Sequence, residues 1–394
     1  MTTTSRSSVA ESSYTREHVV LSARPTTAAA EPRVLQVVLS LNPGGTERLV
    51  VELARRLTSQ IPMAVCCLDE EGDWASELTA DDVPVTALHR AAGFRPALSR
   101  AIATVARHHG ANVIHCHHYS PFVYSCFARL FQPGCRVLFT EHGRLSDAAP
   151  SAKRRFANQI LRRLPRGVFT VSEDLRQHII AEGFSPSAVS VIYNGISVGP
   201  QPDSATREQI RRKVDASSDT LVIGAIARLD RVKDLGTLIE ATGQCGRTLP
   251  VLLLIIGDGT ERVRLEEVTK ACGAEPHVKF LGHRDDARRW LAGCDLYVNS
   301  SISEGVSLTI LEAMAAGLPI VATRVGGTPE VVDATCARLV SPRDANALAA
   351  ALLDLARQPV LRDQMGRAAR TRVEALFTLE RMVDEYRDVY HRVL

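Results

Sequence analysis

The sequence predicts an α/β protein built of two similar halves, each a mostly parallel sheet with helices on both faces. Three observations predict it. The chain has 394 residues, enough for two domains at ~100–200 residues each. Short apolar runs rich in Val, Ile and Leu alternate with amphipathic stretches, the pattern of strand–helix repeats. That alternation breaks once, at the Pro-containing stretch 197–204, and then restarts. Composition agrees: 45% of residues are hydrophobic and 23% charged, which excludes collagen-like, disordered and disulfide-scaffold classes. The formal net charge is only +3, so no nucleic-acid partner is expected. The nine cysteines form no C-x-x-C pair, and scattered thiols suit a cytoplasmic protein in which they pack as small apolar groups.

Each element follows in order. Residues 1–31 are rich in Ser and Thr and lack an apolar signal-peptide core, so they read as a disordered tail. The first domain is expected over 32–198. It opens with a buried-type strand at 34–41, a turn at Asn42, Pro43, Gly44 and Gly45, and a helix over 46–57 with Leu49, Val50, Leu53 and Leu57 on one face. Further strands are expected at 63–68, 113–115, 137–140, 168–171 and 189–193. The second domain, 199–375, begins with a polar helix at 207–214 and has strands at 221–227, 251–256, 278–281, 296–299 and 319–322. The segment 376–394 is helical, with an apolar stripe of Leu379, Met382, Tyr386, Val389 and Val393 that must pack on something. No apolar run approaches the ~20 residues of a membrane span.

Open α/β sheets bind ligands at the carboxyl ends of their strands, so the chemistry is sought just after strands. The most informative stretch is SSISEGVSLTILEAMAAGLP, 300–319. A small polar loop carries Glu304 and Gly305, and a helix begins near Ser307 whose first amides, with Val306 and Leu308, form an anion site. Glu312 lies eight residues beyond Glu304, and a carboxylate there can accept hydrogen bonds from a sugar diol. The competing reading is a surface glutamate on an amphipathic helix. Arg228 and Lys233 follow the first strand of the second domain, where they would meet a diphosphate or remain solvated charges. Gly257 and Gly259 follow the next strand, and Gly44 and Gly45 precede the first helix; both pairs permit close backbone approach to phosphate. Neither is a dinucleotide fingerprint, which argues against a dehydrogenase.

His115, Cys116, His117 and His118 resemble a metal cluster, but successive residues on a strand point to opposite faces and no second ligand group is evident. No metal is expected; one of these histidines, taken as His117, faces the cleft. His142 and Arg144 follow another strand and could reach a substrate. The segment 153–166 carries six cations and no acid, with Phe156, Ile160 and Leu164 on one helical face. It either contacts an anionic membrane surface or packs its apolar face on the first sheet.

The combination resembles the retaining glycosyltransferases of family 4, which have the two-domain GT-B fold. SEGVSLTILEAMAAGLPIVATRVGGTPEVV is similar to the family's E-x7-E region, and GGTE, EHG, VIYNG, ARLDRVK, IIGDG and FLG match in order. The resemblance implies a nucleotide-sugar donor, a UDP-sugar ahead of a GDP-sugar, and a hydroxyl acceptor on a glycan, lipid-linked or small molecule of cell-envelope or exopolysaccharide synthesis. It implies that Arg228 and Lys233 hold the diphosphate and that Glu304 and the following loop meet the sugar. Glu312 would bind the ribose, the Gly44–Gly45 loop would close over the diphosphate or acceptor, and His142 would lie beside the reacting sugar. His117 and Arg144 fall on the acceptor side. No cofactor or obligatory metal is implied, and the last helix would cross back to the first domain. Ala227, Asp234, Val306 and Ser197 depart from the family's usual residues. A nucleotide-sugar epimerase of the same fold and a non-catalytic nucleotide-sugar-binding partner remain alternatives. The expected location is cytoplasmic, with possible peripheral contact at the inner face of the cell membrane.

Overall fold

The computed structural model describes residues 30–144 and 152–394; most of the expected N-terminal tail lies outside them. The first domain contains strands β1 (Val34–Val38), β2 (Met63–Cys67), β3 (Val85–Ala87), β4 (Val113–His117), β5 (Arg136–Glu141), β6 (Gly167–Thr170) and β7 (Val189–Val191). The second contains β8 (Leu221–Ile226), β9 (Val251–Ile256), β10 (Val278–Gly282), β11 (Leu296–Asn299), β12 (Ile320–Thr323) and β13 (Ala337–Val340). The sheet orders are β3-β2-β1-β4-β5-β6-β7 and β10-β9-β8-β11-β12-β13, and their ladders are parallel. In both sheets the winding direction reverses beside the first strand, between β1 and β4 and between β8 and β11. That reversal opens a crevice at the strands' carboxyl ends.

Continuous apolar strands explain the central positions. β1, β2 and β9 are buried at every residue, as strands covered by helices on both faces must be. β3 and β13 were not expected from the sequence. They are short edge strands of three and four residues with mostly half-buried side chains, so neither carries a strong apolar run. The expected strand 34–41 ends at Val38, because the backbone of Leu41 turns away to bond Glu71 and Trp74. All nine cysteines are free, and eight are buried.

The last helix, Leu379–Arg392, is capped by the Thr378 hydroxyl, which accepts from the Arg381 amide. Its Leu379, Met382, Val383, Tyr386, Val389 and Tyr390 are buried with Val34, Val38, Leu49 and Leu53 of the first domain. The preceding helix, Pro359–Leu376, instead packs Ala369 and Val373 into the second domain's core. The chain changes domains where Ile196 pairs with Thr378 in a parallel bridge, through Ile196 N to Phe377 O at 3.0 Å and Leu379 N to Ile196 O at 2.8 Å. Gly195 is required there: a Cβ would stand 2.1 Å from the Thr378 carbonyl oxygen.

Glu330 bridges the domains on this side. It accepts from the backbone amides of Glu173 (2.7 Å) and Asp174 (2.9 Å) and from the Tyr193 hydroxyl (2.9 Å). A carboxylate of one domain thus satisfies the otherwise unpaired first amides of helix Glu173–Ala181 in the other.

Candidate active site

The second domain contributes a charged half-site. Asp230 organises its first part: its Oδ1 accepts from the amides of Val232 (3.1 Å) and Lys233 (3.3 Å), while its Oδ2 accepts from Arg228 Nε at 2.9 Å. The turn places Lys233 Nζ 2.7 Å from Glu304 Oε1, which also accepts from Ser301 Oγ (2.6 Å) and Asn299 Nδ2 (3.2 Å). Lys233 and Glu304 are thereby held together, whereas the Arg228 side chain is 70% exposed and can move toward a ligand. Asp234 adopts φ +44°, a left-handed conformation tolerated by Asp and favoured by Gly, and its carboxylate accepts from Thr237 Oγ1 at 2.8 Å. This departure from the family's glycine is accommodated locally.

Gly257 supports this loop from behind. At φ +137°, a Cβ would stand 2.0 Å from Ala227 O, so β9 presses against the loop that carries Arg228 only because no side chain intervenes. Helix Leu308–Ala315 starts one residue past Ser307 and points its amino end into the crevice at the end of β11. The Glu312 carboxylate, in its second turn, has no hydrogen-bond or ion-pair partner among the described residues, and burial raises its pKa against the weaker pull of Arg288 and Arg48.

The first domain contributes a half-site of histidines. His115 is enclosed and hydrogen-bonds Tyr390 Oη and Thr140 Oγ1, both at 2.8 Å; burial, aided by His142, pushes its pKa down to about 3. His117, expected to face the cleft, is only 2% exposed. It turns inward instead, toward Gln36 Oε1 (2.8 Å) and His142 Nε2 (2.9 Å). Burial, then neighbouring histidines, lowers the pKa of both His117 and His142. The accessible member of the cluster is His118, whose φ of +70° swings its ring to Glu141 Oε1 at 3.0 Å. Burial pulls its pKa down, but the Glu141 hydrogen bond and charge, with Glu47, leave it raised.

Three residues here, Glu47 of GGTE, Glu141 of EHG and His118 of the histidine run, were given no individual role from the sequence. Glu47 follows Gly44 and Gly45 and interacts electrostatically with both His118 and Arg228, although burial dominates and raises its pKa. Glu141 and His118 adjoin residues that were singled out, but nothing in their spacing distinguished them. Arg144 Nη2 donates to Asp174 Oδ2 (2.6 Å) and Asp174 O (3.1 Å), tying the loop to helix Glu173–Ala181, while its buried Nε has no partner among the described residues.

The two half-sites touch. A Cβ on Gly305 would lie 2.2 Å from the His142 carbonyl oxygen, and one on Gly45 3.9 Å from Leu308 Cδ1. Asn194 Nδ2 donates to Val306 O across the same junction at 3.1 Å. The loops after β1, β4 and β5 therefore face those after β8, β9 and β11 in one cleft.

The basic segment is the other departure. Helix Ala152–Leu161 buries Asn158 and Leu161, with Asn158 bonded to Tyr119 Oη (2.8 Å) and Glu182 O (2.9 Å). Phe156 and Ile160 are 72% and 66% exposed, while Leu164 packs against the first domain's core, so only the end of the expected apolar face is covered. Polar anchoring through Asn158 and the Arg154–Glu182 pair (3.2 Å) decides the helix's rotation. No helix among the described residues is long and apolar enough to cross a membrane.

Two doubly wound domains facing across a cleft, with the last helix returning to the first, define the GT-B fold. The chain belongs to the family 4, group 1 glycosyltransferases: the Glycosyltransferase Family 4 model matches residues 43–199 and the Glycosyl transferases group 1 model residues 206–372. It is 31% identical over 187 residues to N-acetyl-alpha-D-glucosaminyl L-malate synthase of Bacillus anthracis, 47% of this chain and 49% of that protein. It is 28% identical over 310 residues to putative glycosyltransferase EpsD of Bacillus subtilis, covering 75% and 80%. The chain thus matches about half the length of the first of these relatives. Among solved structures, Anabaena HepE in complex with UDP superimposes with a TM-score of 0.80 at 23% identity, covering 91% of this chain and 99% of that one.

Proposed function

We propose that the protein transfers a glycosyl group from a nucleoside-diphosphate sugar, a UDP-sugar ahead of a GDP-sugar, to an acceptor hydroxyl with retention of configuration. The observation that carries this reading is the junction at Gly305, where the Lys233–Glu304 pair (2.7 Å) adjoins His142 of the opposite domain. Cations suited to a diphosphate and polar groups suited to a sugar then share one cleft. Family membership supports the reaction type, and HepE, which has the same fold and was solved with UDP and with UDP-glucose, supports the donor class.

Breaking the sugar–phosphate bond develops positive charge on the sugar and negative charge on the departing diphosphate. Lys233, Arg228 and the amides at the start of helix Leu308–Ala315 stabilise the latter in a partly dry cleft. Glu304 Oε1 is committed to Lys233, Ser301 and Asn299, which leaves Oε2 for a sugar hydroxyl. Glu312 accepts from the ribose diol. The acceptor attacks from the face the leaving group departs, and a departing phosphate oxygen takes its proton. These cations supply the charge that a divalent ion would otherwise bring, so turnover is expected to survive EDTA. Contact between the domains excludes water and suppresses hydrolysis.

The test is thermal unfolding with UDP-, GDP- and ADP-sugars, followed by product analysis with the sugar that stabilises. A UDP-sugar should raise the melting temperature most and yield a glycoside of unchanged anomeric configuration. An epimerised or hydrolysed donor, formed without acceptor, would select the epimerase alternative. Stabilisation without turnover on any acceptor class would select the binding-partner alternative.

The exposed Phe156 and Ile160 favour a lipid-linked acceptor met at the cytoplasmic face of the membrane. They stand among exposed Lys153, Arg155, Arg162 and Arg163. Arg129 Nη1, bonded to Leu164 O at 2.6 Å, brings exposed Leu130 and Phe131 alongside. Apolar insertion flanked by cations is the chemistry of an interfacial helix on anionic lipid. Sedimentation with anionic vesicles should be lost in a Phe156→Ser, Ile160→Ser variant. Equal binding to neutral vesicles would overturn the electrostatic part.

A further inference from the structure

The first domain's core contains a continuous line of buried hydrogen bonds that begins on the last helix and ends at the active site. Gln36 Nε2 donates to Tyr390 Oη at 2.9 Å, and Gln36 Oε1 lies 2.8 Å from His117 Nε2. His117 Nδ1 lies 2.9 Å from His142 Nε2. Gln36 and Tyr390 are 0% exposed and His117 2%. At the end of the line, His142 Nδ1 is buried and has no hydrogen-bond partner among the described residues.

We propose that Tyr390, Gln36 and His117 are positioning residues that fix the tautomer of His142, so that Nε2 carries its proton and Nδ1 presents a lone pair to a substrate hydroxyl. The inference rests on the reading of His142 as an active-site residue. The direction follows from counting protons. A neutral imidazole has one N–H. Gln36 Oε1 can only accept, so His117 must donate from Nε2 and accept at Nδ1. His142 must then donate from Nε2, which leaves its Nδ1 a bare acceptor. The remaining bonds run without conflict: Tyr390 donates to His115 Nδ1, His115 Nε2 to Thr140 Oγ1, and Thr140 to Tyr386 Oη at 3.2 Å. Turning the Gln36 amide over would reverse the line and leave an N–H at His142 Nδ1, a buried donor facing no acceptor. Orphaned buried donors are rarer in folded proteins than under-used acceptors, which favours the direction given.

The arrangement also assigns a task to the crossing helix beyond packing. Its Tyr390 anchors the Gln36 amide, whose two orientations are nearly isosteric, and the orientation taken is transmitted through two rings to the cleft.

The decisive measurement is the imidazole ¹⁵N spectrum of the full-length protein, with His142 assigned by comparison with His142→Gln. The wild type should show Nε2 protonated and Nδ1 bare. Tyr390→Phe and Gln36→Leu should each give a mixture of tautomers. They should lower kcat on the order of tenfold to a hundredfold, as loss of an outer hydrogen-bond partner does elsewhere, with the KM for donor nearly unchanged. Gln36→Glu, which still accepts from His117, should retain the wild-type tautomer. A protonated His142 Nδ1 in the wild type, or unchanged spectra and kcat in folded Tyr390→Phe and Gln36→Leu, would overturn the proposal. The spectrum is read without substrate, so it is independent of the catalytic reading. That reading fails separately if His142→Gln turns over at the wild-type rate.

Discussion

The two halves of the cleft are built on opposite physical principles. The second domain holds its groups as charges: Lys233 against Glu304 and Arg228 beside Asp230, with the Arg228 side chain 70% exposed. The first domain holds neutral rings in a dry interior, where burial keeps His115, His117 and His142 from protonating. Its one raised histidine, His118, is pinned by Glu141. The difference suits a reaction in which charge develops on one partner. On the proposed function, the charged half meets the diphosphate, whose charge grows as the bond breaks, and the neutral half meets hydroxyl groups, whose recognition needs direction rather than charge.

The largest effect should come from breaking the charged half. Lys233→Ala removes a cation from the leaving group and leaves Glu304 without its ion-pair partner. It should lower kcat by about 10²–10³-fold, as does loss of one donor to a developing oxyanion; Arg228→Ala should fall in the same range. Steady-state kinetics with saturating donor would measure it, and near-normal turnover in both variants would sink the diphosphate assignment. Histidine variants of the other half should leave donor binding largely intact while slowing transfer, and donor titration by calorimetry separates the two.

A smaller effect is expected where the halves meet. Gly305→Ala places a methyl 2.2 Å from the His142 carbonyl oxygen, a backbone atom that cannot rotate away. The loop or the domains must shift, at a cost of about 1–3 kcal/mol by analogy with overpacking. Thermal unfolding should fall accordingly and kcat/KM with it. A variant equally stable and active would mean that the contact is dispensable.

The smallest expected effect is a pH dependence of donor affinity through Glu312. Burial raises its carboxyl pKa above the usual 4.5. The empty folded protein therefore takes up this proton more readily than the unfolded chain, and this group's contribution to stability increases as pH falls. Donor affinity moves the other way, since the protonated form surrenders an acceptor for the ribose diol. Affinity should begin to weaken at a higher pH than an ordinary glutamate would dictate. Glu312→Gln should flatten that part of the profile, measured as donor Kd against pH.

The contrast between the halves also explains what could be read in advance. Arg228, Lys233, Gly257, Glu304 and Glu312 lie in compact motifs after consecutive strands, and neighbours in sequence there are neighbours in space. The first half is assembled from Gln36, His115, His117, His142 and Tyr390, which are up to 354 residues apart. No spacing along the chain relates Gln36 to Tyr390. His117 was placed on the cleft surface because alternation along a strand decides that neighbours diverge, not which of them faces the interior.

The basic helix shows the same limit. Its apolar face was legible from four-residue spacing, but spacing does not say whether that face turns inward. Asn158, the polar residue opposite, is buried together with Leu161, because Tyr119 and Glu182 O satisfy both ends of its amide and a satisfied amide can be enclosed at little cost.

The sequence by itself determined two parallel-sheet domains and the short motifs that follow their strands. These depend on local periodicity and on short motifs, whose physics acts within a few residues. Only the tertiary structure decided that Ile196 and Thr378 pair where the chain crosses, that Glu330 caps a helix of the other domain, and that a tyrosine on the last helix lies two hydrogen bonds from His117. Those contacts form between distant segments once both sheets are folded, and burial sets their strength, which no stretch of chain reveals on its own.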